Sequence, residues 1–144
     1  MVSSVSEFRI VTPSERLLAA GGVIAVVGGA SVVWYFEPTT AGFFPACPLY
    51  TTTGFACPGC GMTRGFHALF HGDLITALDY NALIPLIIVF FGYLILSMIM
   101  VAVRGRGLGL GKWGLTFIWV TLVVLLTFGI IRNLPFYPFT ILFP

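Results

Sequence analysis

Cys57-Pro58-Gly59-Cys60 places two thiols two residues apart on one turn, with Cys47 upstream and His67 and His71 a short way downstream. Three chemistries use residues of these types at this spacing, and all three stay open on the sequence alone. On an oxidising face, two of Cys47, Cys57 and Cys60 would form a disulfide that closes the loop, leaving an odd cysteine over. The same three thiolates could instead ligate a metal such as zinc, with His67 or His71 as the fourth ligand. Those histidines are four apart and so share one helix face, although the second Cys-x-x-Cys pair of strong zinc signatures is absent. The third chemistry is thiol–disulfide exchange, helped by Arg64 and by the positive end of a helix starting after Cys60, both of which lower a thiol pKa. Exchange enzymes carry this motif on a βαβ scaffold, and no strand pattern occurs here.

Other chemistry is poorly supplied. There is no Ser-His-Asp set, no paired carboxylates within an apolar segment and no charge inside one, which argues against hydrolysis and against a proton or ion path. A non-enzymatic role is therefore expected. The net charge of +2 is scattered rather than clustered, which excludes a nucleic-acid footprint. Arg104 to Lys112 is glycine-rich and basic, but Trp113 follows the lysine where a phosphate loop needs Ser or Thr, so it reads as a flexible turn.

The elements that must position the cysteines are apolar helices. The chain is 58% hydrophobic and 8% charged over 144 residues, more apolar surface than a water-soluble domain of this size can bury. The expected fold is an all-α membrane protein, one membrane domain over 1–144. Its three transmembrane helices would lie at about 17–36, 82–103 and 113–131, with a Cys-rich loop at 37–61 and a short interfacial amphipathic helix at 62–79. Thr12-Pro13-Ser14-Glu15 is a capping box that starts the first helix. Glu37-Pro38 follows that helix in place of a cleavage site, so it reads as a retained span. Gly21, Ala25 and Gly29 form a small-residue stripe for helix packing. Arg9, Arg16, Arg104, Arg106 and Lys112 against Arg64 and Arg132 place the N-terminus and 104–112 in the cytoplasm, and the Cys-rich loop and C-terminus on the outer face. The proline-broken apolar tail from Arg132 to Pro144 must lie in the interface or against protein.

Arg64, Asp73 and Asn81 are expected to organise the loop, Arg64 by donating to carbonyls of the cysteine turn. With Cys47-Pro48, Thr53-Gly54, Cys57-Pro58-Gly59-Cys60-Gly61-Met62-Thr63-Arg64, Gly72-Asp73 and Asn81, the stretch from about Cys47 to Leu86 resembles the bacterial domain-of-unknown-function 2752 membrane-protein family. That family usually has Asn-Pro where this chain has Asn81-Ala82, and small or apolar residues at His67 and His71. The resemblance implies a bacterial cytoplasmic membrane protein and no settled activity. The expected function is an accessory or assembly subunit of a larger membrane complex, respiratory or photosynthetic, whose partners are the lipid bilayer and other membrane subunits. In a pigmented host His67 or His71 could ligate haem or chlorophyll; otherwise no cofactor is expected. The alternative is a metal-binding or thiol-redox membrane protein working through Cys47, Cys57 and Cys60.

Overall fold

The structure is a computed structural model that describes residues 11–108 and 113–137. Arg9, Lys112 and the tail from 138 onward lie outside the described residues. Six helices follow in order: α1 (Pro13–Tyr35), α2 (Pro48–Thr53), α3 (Met62–Phe70), α4 (Leu74–Tyr80), α5 (Ile84–Arg104) and α6 (Trp113–Ile131), and there is no strand among the described residues. The capping box at the start of α1 is formed in both directions: Glu15 N–H donates to Thr12 Oγ1 at 3.3 Å and Thr12 N–H to Glu15 Oε2 at 2.8 Å.

Helices α1 and α5 are long and apolar enough to cross a membrane, and very few of their residues are covered by the rest of the protein. In α6 the described apolar stretch, Thr116–Ile131, is shorter. The first two run antiparallel. Arg16, near the start of α1, donates to Ala102 O and Val103 O at 2.9 to 3.1 Å, so its guanidinium supplies donors to carbonyls that the last turn of α5 leaves free. Their close approach is at Gly22, where a methyl group would stand 3.0 Å from Met98 Cε. The expected stripe of Gly21, Ala25 and Gly29 is exposed, with open space around both glycines. Its four-residue period is correct for helix packing, but the face that α5 covers is rotated from it by one residue.

Two expectations for the connecting segments are corrected. The Cys-rich loop contains α2, opened by Cys47 and Pro48 and ended by Gly54 at φ +75°. The amphipathic helix at 62–79 is two helices. Gly72 N–H donates to Leu69 O and Asp73 N–H to Ala68 O, the paired bonds of a Schellman stop, and Asp73 Oδ1 then accepts from Thr76 N–H at 3.0 Å to start α4. Apolar spacing runs through this Gly-Asp pair undisturbed, so periodicity alone joins what backbone chemistry divides. Nor is the turn after α5 wholly free: Leu108 N–H donates to Ser97 Oγ at 3.2 Å and Tyr93 Oη donates to Leu108 O, folding 105–108 back onto α5.

Helix α3 sits at the end of the α1–α5 pair because two glycines let it. A side chain at Gly61 (φ +81°) would collide with Tyr80 O, and one at Gly65 with Ile84 Cδ1. Ile84 and Ala77 are fully buried there. Gly65→Ala should therefore destabilise the detergent-solubilised protein by about 1–3 kcal/mol through overpacking. Gly21→Ala, with open space and a better helix former, should leave the thermal midpoint unchanged or raised. Midpoints of heat-induced loss of folded protein check both, and equal stability of the two variants would contradict this packing.

Candidate functional site: a clamped three-cysteine cluster

Residues 56–60 run as irregular backbone into a turn, Cys60 N–H donating to Cys57 O at 3.0 Å, and irregular backbone must find hydrogen-bond partners when buried. Side chains from two remote segments supply them. Asn133 brackets Ala56, accepting from its N–H and donating to its carbonyl, both at 2.8 Å. Arg132 Nη1 donates to Cys57 O at 3.0 Å and Cys60 O at 3.2 Å. Asn81 Nδ2 donates to Pro58 O at 2.8 Å and Cys60 O at 3.0 Å, while its Oδ1 accepts from Leu83 N–H and so opens α5. Arg132 is 0% exposed and Asn81 2%. Bonds from a buried cation contribute about 1.5–3 kcal/mol each and neutral ones about 1, so this clamp outweighs anything the short apolar contacts of the turn supply.

The frame brings the thiols together. Cys57 Sγ lies 3.3 Å from Cys47 Sγ and 3.5 Å from Cys60 Sγ, and all three sulfurs fall within 4.8 Å of one another. These distances exceed the roughly 2.05 Å of a disulfide, and the three cysteines are free thiols. Their acidities diverge. The Tyr50 backbone N–H at the start of α2, with the Cys57 and Cys60 thiols, brings Cys47 down to about 7. Burial pushes Cys60 up to about 12. Burial also lowers Arg132 from its ordinary value, while the charges of Cys60, Cys57 and Cys47 act to hold it cationic. The sulfurs open onto a cleft of about 710 Å³ whose walls include Phe44, Pro45, Tyr50, Thr63 and Arg64.

The structure distributes the remaining expected residues differently. Arg64 does not hold the cysteine turn; its guanidinium lies over the Tyr80 ring at 5.2 Å, on the cleft wall. The role expected of Arg64 falls to Arg132, which enters the sequence reading as an outer-face charge at the start of the tail. The available signal was the pair Arg132-Asn133, two strong donors directly after an uncharged apolar helix. Asp73 caps α4 and its carboxyl is held below the usual range by the Thr76 hydroxyl and N–H. His67 and His71 do not join the sulfurs. Nδ1 of His67 is 2.7 Å from Val33 O, and the His71 ring stacks on Trp34, so both face the end of α1.

The acidities give a direct test. Thiolate is the reactive form, so labelling of Cys47 by a maleimide should climb as pH rises through about 7 and fall away below it, while Cys60 stays unlabelled until far more alkaline pH. Residue-resolved mass spectrometry across a pH series reads this, and identical profiles for the two thiols would refute the assignment. Asn81→Ala should cost about 1–3 kcal/mol by stranding buried carbonyls. Its readout is the thermal midpoint together with faster labelling of Cys60.

No curated protein and no solved structure matches this chain. A family match does exist, and it covers the cysteines, α3, α4, Asn81 and the first half of α5 while leaving Arg132 and Asn133 outside. Residues 47–95 of the chain match the model of the family described as protein of unknown function, DUF2752.

Proposed function

We propose that this chain is a small three-span membrane protein that holds a divalent metal ion of the zinc class at its outer face through Cys47, Cys57 and Cys60. The observation that carries the reading is the convergence of three sulfurs on a backbone frame clamped by buried side chains. Three thiolates around one tetrahedral zinc, each about 2.3 Å from it, stand about 3.8 Å apart. The observed 3.3 and 3.5 Å contacts and the 4.8 Å limit bracket that spacing. Charge favours a divalent ion: three thiolates and a 2+ ion leave one negative charge, which the adjacent Arg132 guanidinium balances. The cysteines line the cleft, so a fourth ligand for a bound ion would come from outside the cluster.

In this reading α1, α5 and α6 cross the bilayer, with Arg16, Arg104 and Arg106 at the cytoplasmic end and the cysteines on the outer face of a bacterial cytoplasmic membrane. Glu37 to Phe44 then lies at the outer boundary, where the run of ring contacts from Trp34 through Tyr35, Phe36 and Phe43 to Phe44 suits the headgroup region. The protein acts without catalysing a reaction, as an accessory or assembly subunit of a larger membrane complex. The exposed Gly21, Ala25 and Gly29 face gives a partner helix room to approach.

A second reading, reversible thiol–disulfide exchange, is favoured by one observation: Cys47 near 7 and Cys60 near 12 separate a reactive thiolate from a protected thiol. One preparation distinguishes the two. Full-length protein purified in mild detergent under reducing conditions should contain about one equivalent of zinc by elemental analysis, and Cys57→Ser should lose most of it. A metal-free chain whose cysteines cycle between thiol and disulfide in a redox titration would replace the metal reading with the exchange reading. Orientation is checked in the same strain by an impermeant maleimide on intact spheroplasts after an impermeant chelator has stripped the metal, which should reach Cys47 with the outer face exposed; labelling only after lysis and chelation would invert the topology.

A further inference from the structure

His67 and His71 take no part in the cysteine cluster, yet both rings are fixed in a way that solvated histidines are not. Nδ1 of His67 lies 2.7 Å from Val33 O at the end of α1, and Nδ1 of His71 lies 2.8 Å from His67 O. A carbonyl oxygen only accepts, so in each ring Nδ1 carries the proton. With Nδ1 as the donor, Nε2 is the ring nitrogen left to ligate a metal. An Nδ1–H held by a carbonyl is also the support that metal-ligating histidines ordinarily have, because it fixes tautomer and ring orientation together.

The two rings are one helical turn apart on α3, with centres 4.4 Å apart and planes inclined by 36°. His71 is exposed and His67 half-buried, so the pair is open to solute from outside. Trp34 stacks on the far ring, 6.2 Å between centres and 11° from parallel with His71. The anchoring carbonyl of Val33 belongs to a different helix, so the pair is set by the α1–α3 contact as well as by α3 itself.

We propose that His67 and His71 form a second metal site, binding a divalent cation of the imidazole-preferring class through their two Nε2 atoms, at the end of α1 and apart from the cysteine cluster. Affinity within this class rises from nickel to copper, so Cu²⁺ is the strongest probe. Two nitrogens leave the remaining positions to water, which makes the site exchangeable and not structural. Its occupation draws His71 and the indole of Trp34 into one unit, so a bound paramagnetic ion reports directly on that tryptophan.

The test titrates full-length protein in detergent with Cu²⁺ while following tryptophan emission, in a Cys47→Ser, Cys57→Ser, Cys60→Ser background that removes competing thiols. Quenching should saturate at one equivalent and disappear in Trp34→Phe. His67→Gln or His71→Gln should weaken binding by about 100-fold, as expected when two linked contacts become one. If the triple serine variant does not fold, electron paramagnetic resonance with Cu²⁺ on the wild-type chain, alkylated at its thiols so that they neither bind nor reduce the ion, replaces it. Nitrogen couplings from two imidazoles, lost in the His71→Gln protein, support the site. Unsaturable quenching, unchanged affinity in both glutamine variants, or a spectrum without imidazole nitrogen overturns it.

Discussion

Arg132 is the interaction on which the sulfur-bearing end of the molecule depends. A fully buried guanidinium at the end of an apolar helix carries a large desolvation cost, and here it sits against the carbonyls of Cys57 and Cys60 with three sulfurs close by. Removing the cation would leave the Cys57 carbonyl without this donor and Cys60 O with Asn81. Asn133 and Asn81 extend the same logic to Ala56, Pro58 and the first turn of α5. The geometry of the thiols is thus set by polar groups from 75 residues away in sequence as much as by the Cys-Pro-Gly-Cys turn itself.

Much of the fold was legible because it follows from local rules. Long uncharged apolar segments, the Thr12–Glu15 capping box, Pro85 in the first turn of α5 and the amphipathic stretch after Cys60 each declare an element. The break at Gly72-Asp73 was legible too, yet a reading by apolar spacing passes over it, because apolar residues keep three- and four-residue spacing across the stop. The stripe of Gly21, Ala25 and Gly29 shows the converse: a periodicity without an occupant among the described residues, beside Gly22 where Met98 makes the contact.

The site was legible in its donors and not in its supports. Cys47, Cys57 and Cys60 announce themselves by type and spacing, and Asn81 by its place before α5. Arg64 and Arg132 could not be told apart without knowing that α6 ends level with the cysteine turn, which is a matter of helix lengths and tilt. The histidine pair presented the opposite difficulty: i, i+4 spacing suggested a fourth ligand for the sulfurs, whereas the packing of α3 turns that face toward Val33 and Trp34. Sequence spacing fixes which residues share a face; it does not fix which neighbour the face meets.

The attachment of α6 has a mechanical side. Along its length it meets α5 through the stacked rings of Phe117 and Phe90, whereas its C-terminal end is bolted by Arg132 and Asn133 to residues 56–60, with Gly129 lying against Pro58. Among the described residues, the long-range side-chain hydrogen bonds that tie α6 to the rest of the fold come from this C-terminal end, next to the sulfurs. Any tilt or slide of α6 therefore acts directly on the Cys57 and Cys60 carbonyls, so the spacing of the thiols follows the position of this helix.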